Sequence, residues 1–263
     1  MNVDYSKYQR VFAFGCSYTS YNYPTWADIL ASEMPNAVFY NLGKSGGGNL
    51  MISNRVAQAN CKFKFCETDL VMVMFSTVYR EDRYLSDNWT TGGNIYNQPH
   101  YDKNFVKNYC PPDHFLIRDM ALVEMTTTYL KSLGCDTVFF KMADWEAEHI
   151  PSDIGETETR TITKLASIYQ DSDINNFPPS ALSVVNPEGY FVTKDNKSVR
   201  DGHPTPDEHY TFLKHTGIKL TGLSEQYVKE AMEKFNSIKY YEQFTEEFPT
   251  LALGDTAWRC GLF

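Results

Sequence analysis

A three-layer α/β/α fold around a parallel sheet is what this sequence predicts. Three observations lead there. Short apolar runs rich in β-formers recur along the chain, segments with helical spacing separate them, and loops of small or polar residues follow the first three runs. Strands that read as continuously apolar are buried on both faces, and their alternation with helices implies parallel pairing through crossovers. About five strands are expected, in one domain over 1–238. Long insertions fall at about 82–115 and 145–180, and an aromatic tail covers 239–263.

The strands are read at "RVFAFG" (10–15), "AVFYN" (37–41), "DLVMVMFS" (69–76) and "DTVFFKM" (136–142), with "ALSVV" (181–185) as the fifth candidate. A first helix fits 24–34, where Pro24 lies near the start and Trp26, Ile29 and Leu30 share a face. A second follows "GGGN", with Ile52, Val56 and Ala59 at helical spacing. A third precedes the fourth strand through Ile117, Met120, Val123, Leu130 and Leu133, with Gly134 placed as its C-cap. The last large helix covers 205–220, with Thr205 as N-cap and Pro206 at its first position. Both insertions are polar and rich in turn-formers. Loops of such length are uncommon unless functional, so they are expected to shape a lid or substrate wall.

Composition excludes several functions. The net charge is −9 and no basic cluster exceeds a pair, so the electrostatic footprint of a nucleic-acid binder is missing. No apolar run approaches membrane-spanning length and "MNVDYSKYQR" has no signal-like apolar stretch. Synthesis in the cytosol without a membrane partner is expected, with incorporation in a larger assembly left open. Cys16, Cys61, Cys66, Cys110, Cys135 and Cys260 are scattered, without zinc-knuckle spacing, and are expected as free thiols. Aromatic residues reach 15%, which suits either an aromatic core or a surface that binds sugars or proteins. The apolar tail either packs along the domain or docks on a partner or a second copy, and packing is the expectation.

In an α/β sheet of this kind, reactive groups gather at the carboxyl ends of the strands. Ser17 follows the first strand, "GKSGGGN" the second and "STVYRED" the third. A serine needs a base to take its proton. Of the six histidines, His203 in "RDGHPTPDEH" stands in a loop before the last large helix, with Asp201 two residues earlier. One ring nitrogen could face the serine while the carboxylate holds the other. The glycine loop at 41–49 runs into a helix N-terminus, where unpaired N–H groups could receive an oxyanion. Phosphate binding is the competing use, but neither loop has the residue order of a dinucleotide or P-loop motif.

Together these blocks resemble the SGNH (GDSL-like) hydrolase family. "FAFGCSYT" is similar to the family's first block, "NLGKSGG" to its second, and "DGHP" before a helix to its last. The resemblance implies a flavodoxin-like three-layer fold and a serine esterase without metal or organic cofactor. It makes Ser17 the nucleophile, His203 the base and Asp201 its partner, with Ser17 and Gly46 as backbone oxyanion donors. The sequence departs from the family in three places. Cys16 stands where Asp is usual, the Asp–His spacing is one residue short, and "FSTVYRED" lacks the third block's Asn. Asn49, Ser76 or Thr77 is expected to donate in that Asn's stead, and Cys16 is a second candidate nucleophile. Tyr18, Trp89 and Tyr96 are expected to bind substrate, which the Tyr-, Trp- and Asn-rich insertion makes an O-acetylated carbohydrate or another small or polymeric ester. The alternative is a binding or structural component that keeps the fold without catalysis, for example in a viral particle.

Overall fold

Alternation along two strands builds the layers. Val11 and Ala13 join Leu70, Met72 and Met74 in one apolar cluster, while Phe12 and Phe14 join Val71, Val73 and Phe75 in another. Successive side chains of a strand point to opposite faces, so each cluster is one face of a sheet covered by helices. The computed structural model describes residues 4–97, 101–144 and 158–249. In chain order its elements begin with β1 (Arg10–Phe14), α1 (Trp26–Ala31), β2 (Val38–Asn41), α2 (Asn49–Phe63) and β3 (Asp69–Phe75). Next come β4 (Arg80–Leu85), β5 (Asn88–Asn94), α3 (Lys103–Tyr109), α4 (Pro112–Lys131) and β6 (Asp136–Lys141). The remainder is α5 (Thr159–Ile168), α6 (Ala181–Val185), β7 (Tyr190–Lys194), β8 (Lys197–Asp201), α7 (Pro206–His215), α8 (Gly222–Ser237) and α9 (Gln243–Glu247).

The main sheet has order β2-β1-β3-β6, and every pair in it is parallel. All seven residues of β3 are buried, as befits a central strand, whereas β2 at the edge has none buried. Helices α2 and α4 supply Ile52, Val56, Ala59, Met120 and Val123 to one face. Helices α1, α7 and α8 supply Trp26, Ile29, Phe212, Leu213 and Val228 to the other. Thr25 and Asp28 form a reciprocal capping box on α1, and Thr205 and Glu208 do so on α7. Ser132 rather than Gly134 is the C-cap of α4, and Gly134 adopts a positive φ of 76° two residues further on.

The sheet has four strands among the described residues, one fewer than expected. "ALSVV" forms α6 instead. Ser180 caps that turn by accepting from the Ser183 N–H, and Asn186 ends it in the left-handed region at φ 39°. Leu182 N–H donates to Met142 O, so the segment docks on the end of β6 without extending the ladder. A local cap has overridden the β preference of two valines.

The described part of the first insertion is structured, residues 98–100 lying outside it. It carries most of the β4–β5 hairpin, then α3 and the start of α4. In the second insertion, 145–157 lie outside the described residues and α5 follows. The tail begins by packing, since Phe244 and Phe248 join Tyr23, Val192, Ala231 and Phe235 in a third apolar cluster. Residues 250–263 lie outside the described residues. Among the described residues no helix is long and apolar enough to cross a membrane.

Candidate active site

Gly15 ends β1 because nothing larger fits. A Cβ there would stand 2.0 Å from Thr19 Oγ1 and 3.0 Å from Met74 O. The chain turns at once, with the N–H groups of Thr19 and Ser20 both donating to Cys16 O. This turn sends two neighbouring side chains in different directions. Cys16 is fully buried, its Sγ 3.2 Å from Met142 Sδ in the α1–α7 cluster, so it has no path to a substrate. Ser17, 6% exposed, faces His203 across the carboxyl end of the sheet.

His203 Nε2 lies 2.8 Å from Ser17 Oγ, although 186 positions separate the two residues. On the far side of the ring, Nδ1 lies 2.6 Å from Asp201 Oδ1. A carboxylate only accepts, so Nδ1 carries the proton and Nε2 is left to accept from the serine hydroxyl. Asp201 closes β8 and His203 follows two residues later, so the short Asp–His spacing reaches the ring without strain in the ladder. The same Asp201 Oδ1 also accepts from the His203 backbone N–H at 2.9 Å.

Tyr21, which sequence reasoning did not single out, completes the arrangement. Its hydroxyl donates to Asp201 Oδ2 at 2.5 Å, and its ring stacks on the imidazole with centroids 4.0 Å apart. Burial alone would raise the Asp201 pKa. Hydrogen bonds from the His203 ring, the Tyr21 hydroxyl and the His203 N–H outweigh it and hold the carboxyl down at about 2. Because folding lowers this pKa from its ordinary 3.8, the charged carboxylate stabilises the native state above about pH 4, and the contribution fades as pH falls towards 2. Tyr21→Phe keeps the stacked ring and removes one of those bonds. We expect kcat to fall about tenfold with KM unchanged. In urea denaturation, the stability deficit of the variant should be full at pH 6 and shrink towards pH 2. A deficit independent of pH would mean that the hydroxyl does not act through Asp201.

The second block is held by what surrounds it. Asn41 donates to Thr19 O at 2.7 Å and accepts from Gly43 N–H, joining the end of β2 to the turn after Ser17. Lys44 N–H donates to Gly15 O. Gly46 has φ 75°, and a Cβ there would meet Thr91 O of β5 at 2.9 Å, so both conformation and space require glycine. The hairpin buttresses this loop directly. Gly93 N–H donates to Gly46 O, Thr91 Oγ1 donates to Ser45 O, and Asp82 accepts from the N–H groups of Gly48 and Met51 at the start of α2. The insertion, expected to shape a lid or substrate wall, thus buttresses the second-block loop.

The other residues expected in the site sit as follows. Asn49 is fully buried, and its amide donates to Ser76 O and Asp119 Oδ2 and accepts from Ser76 N–H. Both of its N–H groups are engaged, so it pins the end of β3 to α2 and has no donor left for an oxyanion. Thr77 Oγ1 accepts from Arg80 Nε at 2.9 Å, and Ser76 is fully buried. Tyr18 lies in the site, its ring 5.8 Å from that of His203. Trp89 and Tyr96 do not. Trp89 is 7% exposed and packed in the α2–α4 cluster, and Tyr96 donates to Cys110 O with its ring on Tyr79 and Phe115. Their rings pack the insertion onto the α2–α4 face of the core, a use that aromatic content alone cannot distinguish from sugar stacking.

No protein-family model matches the chain, and no curated protein matches it in sequence. Several solved structures are similar to it. One is a catalytic mutant of an acetylxylan esterase from Geobacillus stearothermophilus, at 12% identity and TM-score 0.43, covering 83% of this chain and 98% of that one. Another is a member of the lipolytic protein G-D-S-L family from Veillonella parvula, at 13% identity and TM-score 0.39, covering 78% and 94%. A third is a GDSL-like lipase from Bacteroides thetaiotaomicron, at 16% identity and TM-score 0.38, covering 85% and 89%.

Proposed function

We propose that the protein is a serine esterase that cleaves a carboxylic ester through an acyl-enzyme. The supporting observation is the unbroken hydrogen-bonded line from Tyr21 through Asp201 and His203 to Ser17. Ser17 Oγ bonds to the ester carbonyl carbon as its proton passes to His203 Nε2, and the carbonyl π pair moves onto oxygen. Backbone N–H groups of Ser17 and Gly46 receive that charge. When the carbonyl re-forms, the alcohol leaves with the proton from His203. Water then repeats the sequence on the acyl-serine, releasing the acid and restoring the serine. Asp201 keeps Nδ1 protonated and stabilises the imidazolium that forms in each half.

Ser17 is nearly buried beside Tyr18, which favours a small acyl group, acetyl first. The packing of Trp89 and Tyr96 removes the sequence-based reason for a carbohydrate as the alcohol component. Labelling with a fluorophosphonate followed by peptide mapping tests the proposal. Ser17 should be modified, and Ser17→Ala and His203→Ala should not react. A folded protein that never labels would move the function to a binding or structural role of the same fold.

A further inference from the structure

The third block lacks its usual Asn, and both N–H groups of Asn49 are already engaged. Three independent contacts direct attention to a different side chain in the same segment, Arg80. It is 8% exposed and stands at the first position of β4, directly after the loop that follows β3. Its Nε donates to Thr77 Oγ1 at 2.9 Å, which ties it to the third block. One Nη donates to Gly47 O at 3.1 Å, beside the second block's Gly46. The other Nη contacts Met142 Sδ at 3.8 Å, and that sulfur lies 3.2 Å from the Sγ of Cys16, the residue before Ser17. The guanidinium therefore touches residues that adjoin all three blocks.

Its donor capacity is not spent there. A guanidinium has five N–H donors, and among the described residues its partners are a hydroxyl, a carbonyl and a thioether, all neutral. The Asp82 carboxylate feels this charge through space but gives its oxygens to the N–H groups of Gly48 and Met51, so the remaining guanidinium N–H groups can still take an anion. In an acyl-transfer site such an anion forms for the lifetime of the tetrahedral intermediate. The side chain is also held in place. Arg118 Nη donates to Arg80 O at 2.6 Å while its other nitrogens bond Glu81 and Asp119, fixing the backbone from which the guanidinium projects. Tyr18, a neighbour of the His203 ring, feels this positive charge as well.

We infer that Arg80 supplies the third oxyanion donor, in place of the missing third-block amide, by directing an Nη–H at the carbonyl oxygen as it becomes negative. The inference rests on the esterase reading given above. Unlike an amide, the guanidinium brings a full charge, so its contribution grows with the charge on the oxygen and acts on the transition state more than on the bound ester.

The test measures p-nitrophenyl acetate hydrolysis by the full chain as wild type, Arg80→Ala and Arg80→Lys, with melting temperature recorded for each. Arg80→Ala should lose about 10² to 10³ in kcat with little change in KM. Added methylguanidinium should restore part of kcat in Arg80→Ala and none in Ser17→Ala. Arg80→Lys should fall between wild type and Arg80→Ala. If Arg80→Ala does not fold, Arg80→Gln, which keeps an amide towards Gly47 without the charge, carries the test under the same criteria. A folded neutral variant whose kcat stays within about threefold of wild type while Ser17 still labels would overturn the role of Arg80 and leave the esterase intact. So would a large loss confined to KM. Absence of labelling in the wild type would instead remove the esterase reading itself.

Discussion

His203→Ala is expected to lower kcat by about 10⁶-fold, Asp201→Ala by about 10⁴-fold, and the double variant by no more than His203→Ala alone. The reason lies in the direction of the hydrogen bonds. Ser17 has one acceptor for its proton, His203 Nε2 at 2.8 Å, and without it the hydroxyl must react unaided. Asp201 acts only through that ring, by holding the proton on Nδ1 and balancing the imidazolium charge. Once the ring is gone, the carboxylate has nothing left to orient. Steady-state kinetics on an acetyl ester, with melting temperatures to confirm folding, provide the check. Losses that multiplied across the double variant would mean that the two residues act separately, contrary to a relay that functions as a unit. The rate left in His203→Ala measures what the oxyanion donors supply by themselves.

Phe244→Ala is expected to destabilise the protein by about 3–5 kcal/mol. In a chain of this size that corresponds to a fall of about 10 °C in melting temperature. Phe244 is 1% exposed, and its ring lies 5.4 Å from Tyr23, 5.9 Å from Phe235 and 6.0 Å from Tyr190 by centroid. Removing it leaves a cavity among rings that cannot collapse without moving strands. The position matters for the chemistry as well as for stability. Tyr190 pairs with Asp201 across β7–β8, and Tyr23 stacks edge-on against Tyr21. Asn22 donates to the Tyr241 hydroxyl at 2.6 Å, a further tie from the tail to the loop after Ser17. Ending the chain after residue 238 should therefore reduce kcat as well as stability. A truncated protein with wild-type turnover would show that the tail cluster is not needed to hold Asp201.

Four strands of the parallel sheet were legible because each is a short apolar run; burial on both faces demands this of central β3, while edge strand β2 keeps the pattern with none of its residues buried. The fifth was misread because Ala-Leu-Ser-Val-Val suits a strand by composition, and the serine cap that makes it helical is a single atom's hydrogen bond. Ser17, Asp201 and His203 could be named from small blocks of sequence, since a nucleophile turn needs Gly15 and an Asp–His pair close in sequence meets locally. Tyr21, Asp82 and Arg80 could not. Their roles depend on which loop lies opposite them, and no spacing along the chain encodes that. Asn49 shows the converse. It stands at the expected place, but tertiary contacts with Ser76 and Asp119 consume its amide. Trp89 and Tyr96 have the right chemistry for a sugar platform and are spent on packing the hairpin and the segment after it against the core.

The distance along the chain between Ser17 and His203 has a consequence for the protein while it is being made. At about 5–20 residues per second, the ribosome needs roughly ten to forty seconds to pass from one to the other. Throughout that interval the serine has no base, and the aromatic residues that steady the Asp201 hairpin follow later still, at 235–248. On the esterase proposal, turnover can begin only once His203 has emerged, and it reaches its full value only after the 235–248 segment has docked.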